Sequence, residues 1–230
     1  TLTGSNRKLI RAVDGISFGI RRGEIFGLIG ESGSGKTTTG KLVMKLIEPT
    51  SGQLLFNNED VTDTSHERTQ AYRRQVQMIF QDPYASMNPR FKIKDVLEEP
   101  LIIHKVEGDH IQHEKMIVKA LNEVKLNPPE EYMARYPHML SGGQRQRVAT
   151  ARTLILNPLM LVADEPVSMI DLSTRAEILH MMKDVQRDLG LSYPYITHDL
   201  STARYFTDRI AVMYLGRIVE LGPADEVIDR

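Results

Sequence analysis

Residues 28–40 read LIGESGSGKTTTG, a run rich in glycine and hydroxyl residues that lies between two apolar segments. The preceding EIFGLI is continuously apolar, as is typical of a strand that is buried on both faces. From Lys36 onward apolar residues recur at helical spacing as far as Ile47, and Pro49 is expected to end that helix. A glycine-rich turn between a buried strand and a helix predicts an α/β fold around a parallel sheet.

This turn has the spacing G-x-x-x-x-G-K-[ST], which binds nucleotide phosphates when it follows a strand and opens a helix. Glycines let backbone N–H groups approach the phosphates, and Gly33 and Gly35 permit positive φ angles. We expect Lys36 to reach the β and γ phosphates and the Thr37 hydroxyl to bind Mg²⁺. The predicted ATP-binding residues are Gly30, Glu31, Ser32, Gly33, Ser34, Gly35, Lys36, Thr37 and Thr38.

Two adjacent acids follow another apolar run, LMLVADEP. A carboxylate at the end of such a strand holds the Mg²⁺ shell of a phosphate-loop enzyme, and Asp164 is in that position. The metal does not need a second acid, so we expect Glu165 to orient and deprotonate the attacking water.

A second glycine-rich stretch, HMLSGGQRQRVATAR at 138–152, repeats the pattern of exposed amides at a helix start. Ser141 can cap the helix, and the N–H groups of the glycines lie at its positive end. One small domain has little use for two phosphate sites on a single ATP, which raises the question of what this second site binds.

LSGGQRQRVATAR resembles the signature of the ATP-binding cassette (ABC) ATPases, and the other motifs of that family follow in order. Gln81 in IFQDP resembles the Q-loop glutamine, LMLVADEP the Walker B strand, Asp171 in SMID the D-loop aspartate, and His198 in ITHD the switch histidine. The resemblance implies catalytic roles for Glu165, His198 and Gln81. It implies a Mg²⁺ site formed by Thr37, Gln81 and Asp164.

The resemblance also answers the question about the second glycine-rich stretch. In that family two cassettes meet head to tail, and each ATP lies between the phosphate loop of one chain and the signature of the other. We therefore expect a homodimer, or a heterodimer with a related ATPase, built around two composite sites. The residues expected to contact the partner's ATP are Leu140, Ser141, Gly142, Gly143 and Gln144.

FQDPYASMNPR and DEPVSMIDLSTRAEIL resemble the dipeptide and oligopeptide branch of the importers, which also handles nickel and some oligosaccharides. Two permeases and an extracytoplasmic substrate-binding protein are the implied partners, and the cytoplasmic face of the membrane is the implied location. The sequence leaves open whether the transported substrate is a peptide, nickel or an oligosaccharide. The family usually stacks an aromatic residue on adenine before the phosphate loop, but no aromatic residue precedes Phe18 here.

The predicted architecture is a single domain over 1–230. It has a RecA-like parallel-sheet core with an antiparallel flank, made of 1–91 and 140–230, and an inserted helical subdomain at about 92–139. Residues 15–20 alternate as in a half-buried strand, and GQLLFNNEDV predicts a strand, a turn and a strand. Apolar residues alternate at 76–80, which predicts a further strand, and buried strands are expected around 159–164 and 193–197. A hairpin is expected to turn at Gly216.

Composition narrows the alternatives. The 230 residues carry a net charge of −1, which disfavours a nucleic-acid binder and so a cassette ATPase of DNA repair or translation. The sequence contains no cysteine, no apolar run long enough to cross a bilayer and no apolar segment typical of a secretory signal. His104, His110 and His113 lack a third ligand at clear spacing, so we interpret them as surface residues of a helix rather than a metal site.

Overall fold

The computed structural model describes residues 11–82 and 87–229. Strands and helices alternate along most of this chain, as the sequence predicts. The strands are β1 (Ile25–Ile29), β2 (Leu55–Phe56), β3 (Glu59–Asp60), β4 (Val76–Ile79), β5 (Met160–Asp164), β6 (Tyr193–Thr197), β7 (Arg209–Tyr214) and β8 (Arg217–Pro223). The helices are α1 (Lys36–Val43), α2 (His66–Gln75), α3 (Ile93–Ile103), α4 (His110–Glu123), α5 (Pro129–Ala134), α6 (Gly142–Leu154), α7 (Leu172–Leu189), α8 (Leu200–Phe206) and α9 (Ala224–Ile228).

Within the described ranges, the main sheet has the strand order β4-β5-β6-β1-β7-β8. The pairs from β4 to β7 are parallel, and β8 runs antiparallel to β7 at the edge. Successive residues of a strand pack on opposite faces: Ile25 belongs to the core under α3, α4, α6 and α7, and Phe26 to the core on the other side. This arrangement confirms the predicted parallel sheet, and it brings the carboxyl ends of β4, β5, β6 and β1 to one edge.

The strand predicted at 15–20 does not form. Ile16, Phe18 and Ile20 are half-buried and alternate with exposed residues, so the period-two pattern does report which side chains face the core. Phe18 stacks on Phe26 with ring centroids 5.2 Å apart. A strand also needs a neighbouring backbone to pair with, and alternation alone does not supply one. The antiparallel part of the described fold is therefore the β2–β3 hairpin and β8, without an N-terminal strand.

Helix α1 ends before the position that Pro49 predicts. Its last residue is Val43, and Lys45 adopts a left-handed φ of +53°. The amide of Lys45 donates to the Leu42 carbonyl and the amide of Leu46 to the Lys41 carbonyl, which is the paired bonding of a Schellman C-cap. The helix therefore ends by its own backbone bonds, and the apolar residues after it are not helical.

The region predicted as a helical insertion contains α3, α4, α5 and a short 3-10 turn at Pro137–Met139. Helices α3 and α4 pack on α6, α5 packs on α3 and α4, and all of them share one hydrophobic core with the sheet. The predicted helices are confirmed, and the subdomain boundaries at 91–92 and 139–140 stay a prediction.

Pro194 is the second residue of β6, an interior strand where proline removes a donor. The amide of Tyr193 donates to the Glu24 carbonyl on the β1 side, so the next nitrogen along the chain faces β5. The continuous pairing of β5 with β6 begins only at Ala163 and Tyr195. Pro194 is thus placed where the hydrogen-bond ladder to β5 is interrupted.

Candidate functional site

The glycine-rich turn after β1 has no room for side chains at two of its positions. Gly30 has a φ of +157°, and a Cβ atom there would lie 2.2 Å from the Met213 carbonyl oxygen. Gly35 has a φ of +107°, and its Cβ would lie 2.3 Å from the Ala12 carbonyl oxygen. Gly33 has a φ of +81° and open space beside it. The positive φ angles predicted for Gly33 and Gly35 are confirmed, and the loop exposes bare backbone where α1 begins.

Lys36 lies buried inside this loop. Its Nζ donates to the carbonyl oxygens of Gly30 at 2.7 Å and Glu31 at 2.8 Å, and to Ser34 Oγ at 3.4 Å. Burial lowers the pKa of the ammonium, and the negative charges of Glu165 and Asp164 oppose that shift. The loop therefore holds a desolvated cation at the N-terminus of a helix, which suits a polyphosphate.

Thr37 and Asp164 meet at the carboxyl ends of β1 and β5. The Thr37 hydroxyl donates to Asp164 Oδ1 at 3.3 Å, and Asp164 is 4% exposed. Desolvation raises the pKa of Asp164, and the Thr37 hydrogen bond opposes the shift. A hydroxyl beside a buried carboxylate is a set of hard oxygen donors, which fits Mg²⁺. The residues present therefore fit the metal that the family implies.

Glu165 connects two of the other predicted motifs. Its Oε2 accepts from Gln81 Nε2 at 3.1 Å, and its Oε1 lies 2.9 Å from His198 Nδ1. Gln81 follows β4, Glu165 follows β5 and His198 follows β6, so three adjacent strand ends supply the three side chains. Residues separated by more than a hundred positions in the sequence thus converge next to the phosphate loop.

The signature residues lie apart from this cluster at the start of α6, where Ser141 is exposed and Leu140 and Gly143 are buried. Ser141 Oγ accepts from the Gln144 amide at 3.3 Å, and Gln144 Oε1 accepts from the Ser141 amide at 3.0 Å, which is a capping box. The cap predicted for Ser141 is confirmed. Gln144 Nε2 also donates to the Tyr132 hydroxyl of α5 at 3.5 Å. These contacts join the start of α6 to the helical insertion and do not involve the cluster around Glu165.

Sequence reasoning missed the residues that support these motifs. A Cβ at Gly143 would lie 2.5 Å from the Thr174 methyl carbon, so the signature helix packs closely on the start of α7. Asp171 precedes α7 without a capping bond from its side chain. The Ser168 hydroxyl donates to the Glu165 carbonyl oxygen, and the Arg175 guanidinium donates to the carbonyl oxygens of Ile170 and Ser168. An arginine near the N-terminus of a helix interacts unfavourably with the helix dipole. Its presence there was a weak sequence signal that Arg175 has a specific partner.

The histidines considered as metal ligands lie in the helical insertion. His110 Nδ1 and His113 Nδ1 lie 3.5 Å and 3.6 Å from Glu98 Oε1, and Lys94 occupies the same cluster. In the part of the chain that the structure describes, no group of three or more acidic, histidine or cysteine side chains is arranged to hold a metal ion. None of the helices in the described residues has the length and hydropathy needed to cross a bilayer.

Comparisons with known proteins agree with this geometry. The profile of the family described as ABC transporter matches residues 13–168. The oligopeptide transport ATP-binding protein OppF of Bacillus subtilis is 46% identical over 225 residues, which cover 97% of this chain and 73% of the relative. The dipeptide transport ATP-binding protein DppF of Escherichia coli is 44% identical, over 97% of this chain and 66% of the relative. The chain thus spans about two-thirds to three-quarters of the length of these two relatives.

Solved structures share the fold. The cbiO1 protein of Clostridium perfringens, part of the ABC transporter complex cbiONQ, superimposes with a TM-score of 0.87 at 27% identity, covering 95% of this chain and 84% of that one. The dimeric cassette MJ0796, solved in a post-hydrolysis state with ADP and Pi, gives a TM-score of 0.84 at 28% identity, covering 96% and 94%. With its phosphate loop, acidic strand end and capped signature helix, this chain belongs to the ABC transporter family, as an ATP-hydrolysing cassette that binds ATP with Mg²⁺.

Proposed function

We propose that the chain is the ATPase subunit of a peptide importer, and that ATP binding and hydrolysis drive transport by closing and opening a cassette dimer. The observation that carries the proposal is the convergence of the phosphate loop, Asp164, Glu165, Gln81 and His198 at one sheet edge. The peptide class rests on relatives named for oligopeptide and dipeptide transport. Nothing in the comparisons supports the alternative role in DNA repair or translation.

Roles for the residues follow from their chemistry. Residues 30–38 wrap the phosphates with backbone N–H groups, and the buried ammonium of Lys36 pairs with their charge. Bound Mg²⁺ neutralises charge on the phosphates, and Thr37, Gln81 and Asp164 would hold it. Glu165 accepts the proton of the attacking water.

His198 has a different task, because it lies 2.9 Å from Glu165 on one side and is largely exposed on the other. An imidazole so placed can orient the carboxylate and also donate toward a phosphate. We assign it the positioning of the γ-phosphate relative to the water.

The signature acts on a second molecule. The signature residues lie at the start of α6, just after the helical insertion and apart from the chain's own phosphate loop, and they are Leu140, Ser141, Gly142, Gly143 and Gln144. The amides at the start of α6 form an anion site that needs a phosphate from elsewhere. Head-to-tail pairing supplies it, and the solved neighbours include dimeric cassettes. We propose a dimer with a second copy or with a related ATPase, in which Asp171 lies at the contact between chains.

A cleft between the helical insertion and the end of β4 is the proposed seat for the permease. The cleft has a volume of about 210 Å³, is mostly apolar and includes Phe80, Ile103 and His104. Burial, and then the charge of Arg74, lower the pKa of His104, which favours the neutral imidazole in this apolar setting. A cytoplasmic helix of a permease with an apolar tip fits such a cleft. Phe80 lines the cleft, and the next residue, Gln81, donates a hydrogen bond to Glu165. Binding of a permease helix in the cleft can therefore affect the position of the Glu165 carboxylate.

Two permeases and an extracytoplasmic binding protein complete the proposed importer, and they place the chain on the cytoplasmic face of the membrane. The test uses vesicles that contain the permease pair and this ATPase. Labelled oligopeptide uptake is measured with the binding protein outside and ATP inside. We expect uptake of peptide, but not of nickel or an oligosaccharide, and we expect Glu165→Gln to abolish both uptake and hydrolysis. Uptake of nickel or oligosaccharide in place of peptide would overturn the substrate class.

Ile103→Glu separates transport from hydrolysis in the same experiment. The side chain is 61% exposed, so the substitution is not expected to unfold the chain. We expect the isolated chain to hydrolyse ATP normally and the vesicles to lose uptake. The reason is that a permease helix bound in the apolar cleft would bury the new carboxylate without a partner, which is unfavourable. Tyr205→Glu, an equally drastic change at a 79% exposed residue of α8, serves as the matched control and should keep uptake.

A further inference from the structure

Residues 165–171 connect the end of β5 to the start of α7, and one side chain folds back onto them. Arg175 Nε donates to the Ile170 carbonyl oxygen at 2.9 Å, and Nη2 donates to the Ser168 carbonyl oxygen at 3.4 Å. A guanidinium is planar and presents its donors in a fixed arrangement. A single half-buried side chain therefore fixes two nearby carbonyls of this connection relative to α7.

The connection passes this constraint to Glu165. The amide and hydroxyl of Ser168 both donate to the Glu165 carbonyl oxygen, at 3.1 Å and 3.0 Å. Glu165 itself has a φ of +46°, a left-handed conformation that strains the backbone of a residue with a side chain. Such a conformation persists only where neighbouring bonds hold it. The Glu165 amide donates to the Ile196 carbonyl oxygen of β6 at 2.9 Å, and the Glu165 carbonyl is held on its other side through Ser168 and Arg175.

The other end of the connection is fixed as well. The amides of Thr174 and Arg175 both donate to the Asp171 carbonyl oxygen, at 2.9 Å and 3.1 Å. The Thr174 methyl group lies against Gly143 of the signature helix. The start of α7 is thus fixed by its own backbone bonds and by packing on the signature helix. Arg175 is the side chain through which α7 holds residues 165–171, the segment that carries the Glu165 carboxylate.

We propose that Arg175 is a positioning residue for ATP hydrolysis, acting through Ser168 to hold the backbone of Glu165 in the orientation that aims its carboxylate between Gln81 and His198. The inference rests on the proposed role of Glu165 as the base. Arg175 does not contact the phosphate loop in this arrangement of bonds, so it affects the hydrolytic step and not the binding of ATP.

The first test compares Arg175→Ala with wild type. We expect kcat to fall by roughly 10- to 100-fold, because a small misplacement of a reacting group has that effect, while KM for ATP stays within about twofold. Arg175→Lys keeps one donor but not the fork, so its kcat should be intermediate. Arg187→Ala is the matched control: Arg187 lies on the same helix, is exposed and pairs with Asp184 and Asp188. It should retain the wild-type kcat.

Two results would overturn the proposal. One is a kcat per folded molecule of Arg175→Ala equal to that of wild type, even if its melting temperature falls, since that would show a structural role alone. The other is a rise in KM with unchanged kcat, which would place the residue in ATP binding.

A second test distinguishes failure of the inference from failure of the proposed base. If Arg175 acts through Glu165, then Arg175→Ala should change the slow residual rate of Glu165→Gln by less than about twofold. A further large loss in that background would show that Arg175 acts by another route. Should Glu165→Gln keep wild-type turnover, the role of Glu165 fails first. In that case a slow Arg175→Ala variant would show that residues 165–171 affect hydrolysis by a route other than the Glu165 carboxylate.

Discussion

Lys36 and Asp164 are two charged groups removed from water at the same sheet edge, and burial moves both toward their neutral forms. The sequence predicted both residues, because the phosphate-loop spacing and the acid at a strand end are local patterns. It did not predict Ser168 and Arg175. Their importance depends on which carbonyls the turn after β5 presents, and that follows from the φ of Glu165 and not from residue spacing.

The raised pKa of Asp164 leads to a prediction about stability. Ionising this buried carboxylate costs free energy of folding, so Asp164→Asn should raise the melting temperature without nucleotide and Mg²⁺ while abolishing hydrolysis. The amide can still accept the Thr37 hydrogen bond. Differential scanning calorimetry with Asp63→Asn, an exposed acid, as the control checks this expectation.

The sign of the pH dependence follows from the direction of the shift. The folded-state pKa of Asp164 lies above its unfolded value, so the penalty is complete above the folded pKa. It disappears as the pH falls below the unfolded value, when the group is protonated in both states. The stability gain of Asp164→Asn over wild type should therefore be largest near neutrality and shrink in acid. A gain that grows in acid would contradict the assignment.

At the scale of elements, strands and helices with strong patterns were predictable and their partners were not. The segments predicted as strands after residues 75, 159 and 192 form β4, β5 and β6 as expected. Residues 15–20 have the alternation of a strand but lack strand pairing, and α1 ends at a backbone cap before Pro49. Pairing and capping depend on neighbouring backbone groups, which a periodic pattern does not specify.

The β7–β8 hairpin was predicted to turn at Gly216, and its turn offers a direct test of backbone strain. Leu215 has a φ of +46° beside Gly216 at +79°, the two positive values of a type I′ turn, and Leu215 is 70% exposed. Leu215→Asn should raise the free energy of unfolding by about 0.5–1 kcal/mol, because asparagine tolerates the left-handed region.

Urea denaturation measures this change, and Leu215→Ala is the matched control. Alanine removes the exposed side chain but keeps a Cβ at the same φ, so its stability should stay close to that of wild type. An equal gain in both variants would attribute the effect to the lost side chain and not to the backbone.

At the scale of the whole molecule, the chain's phosphate loop and signature use different elements: α1 for the first, and α5, α6 and α7 for the second. The sequence alone indicated two anion sites, and the resemblance to the family supplied the reason for both. No single-chain pattern specifies the surface that a second copy will meet. The head-to-tail pairing is therefore best tested by combining defective chains.

Lys36→Ala removes the phosphate-binding ammonium, and Ser141→Arg places a bulky charge at the start of α6, so each variant alone should be inactive. When the two are mixed, a mixed dimer has one composite site with intact Lys36 from one chain and intact Ser141 from the other. With random pairing about a quarter of all composite sites are intact, so we expect hydrolysis to reappear on mixing. The double variant Lys36→Ala/Ser141→Arg mixed with wild type is the control, because its mixed dimers contain no intact site and should add no activity. If each ATP used the loop and signature of the same chain, the two single variants would stay inactive together, and the composite site would be refuted.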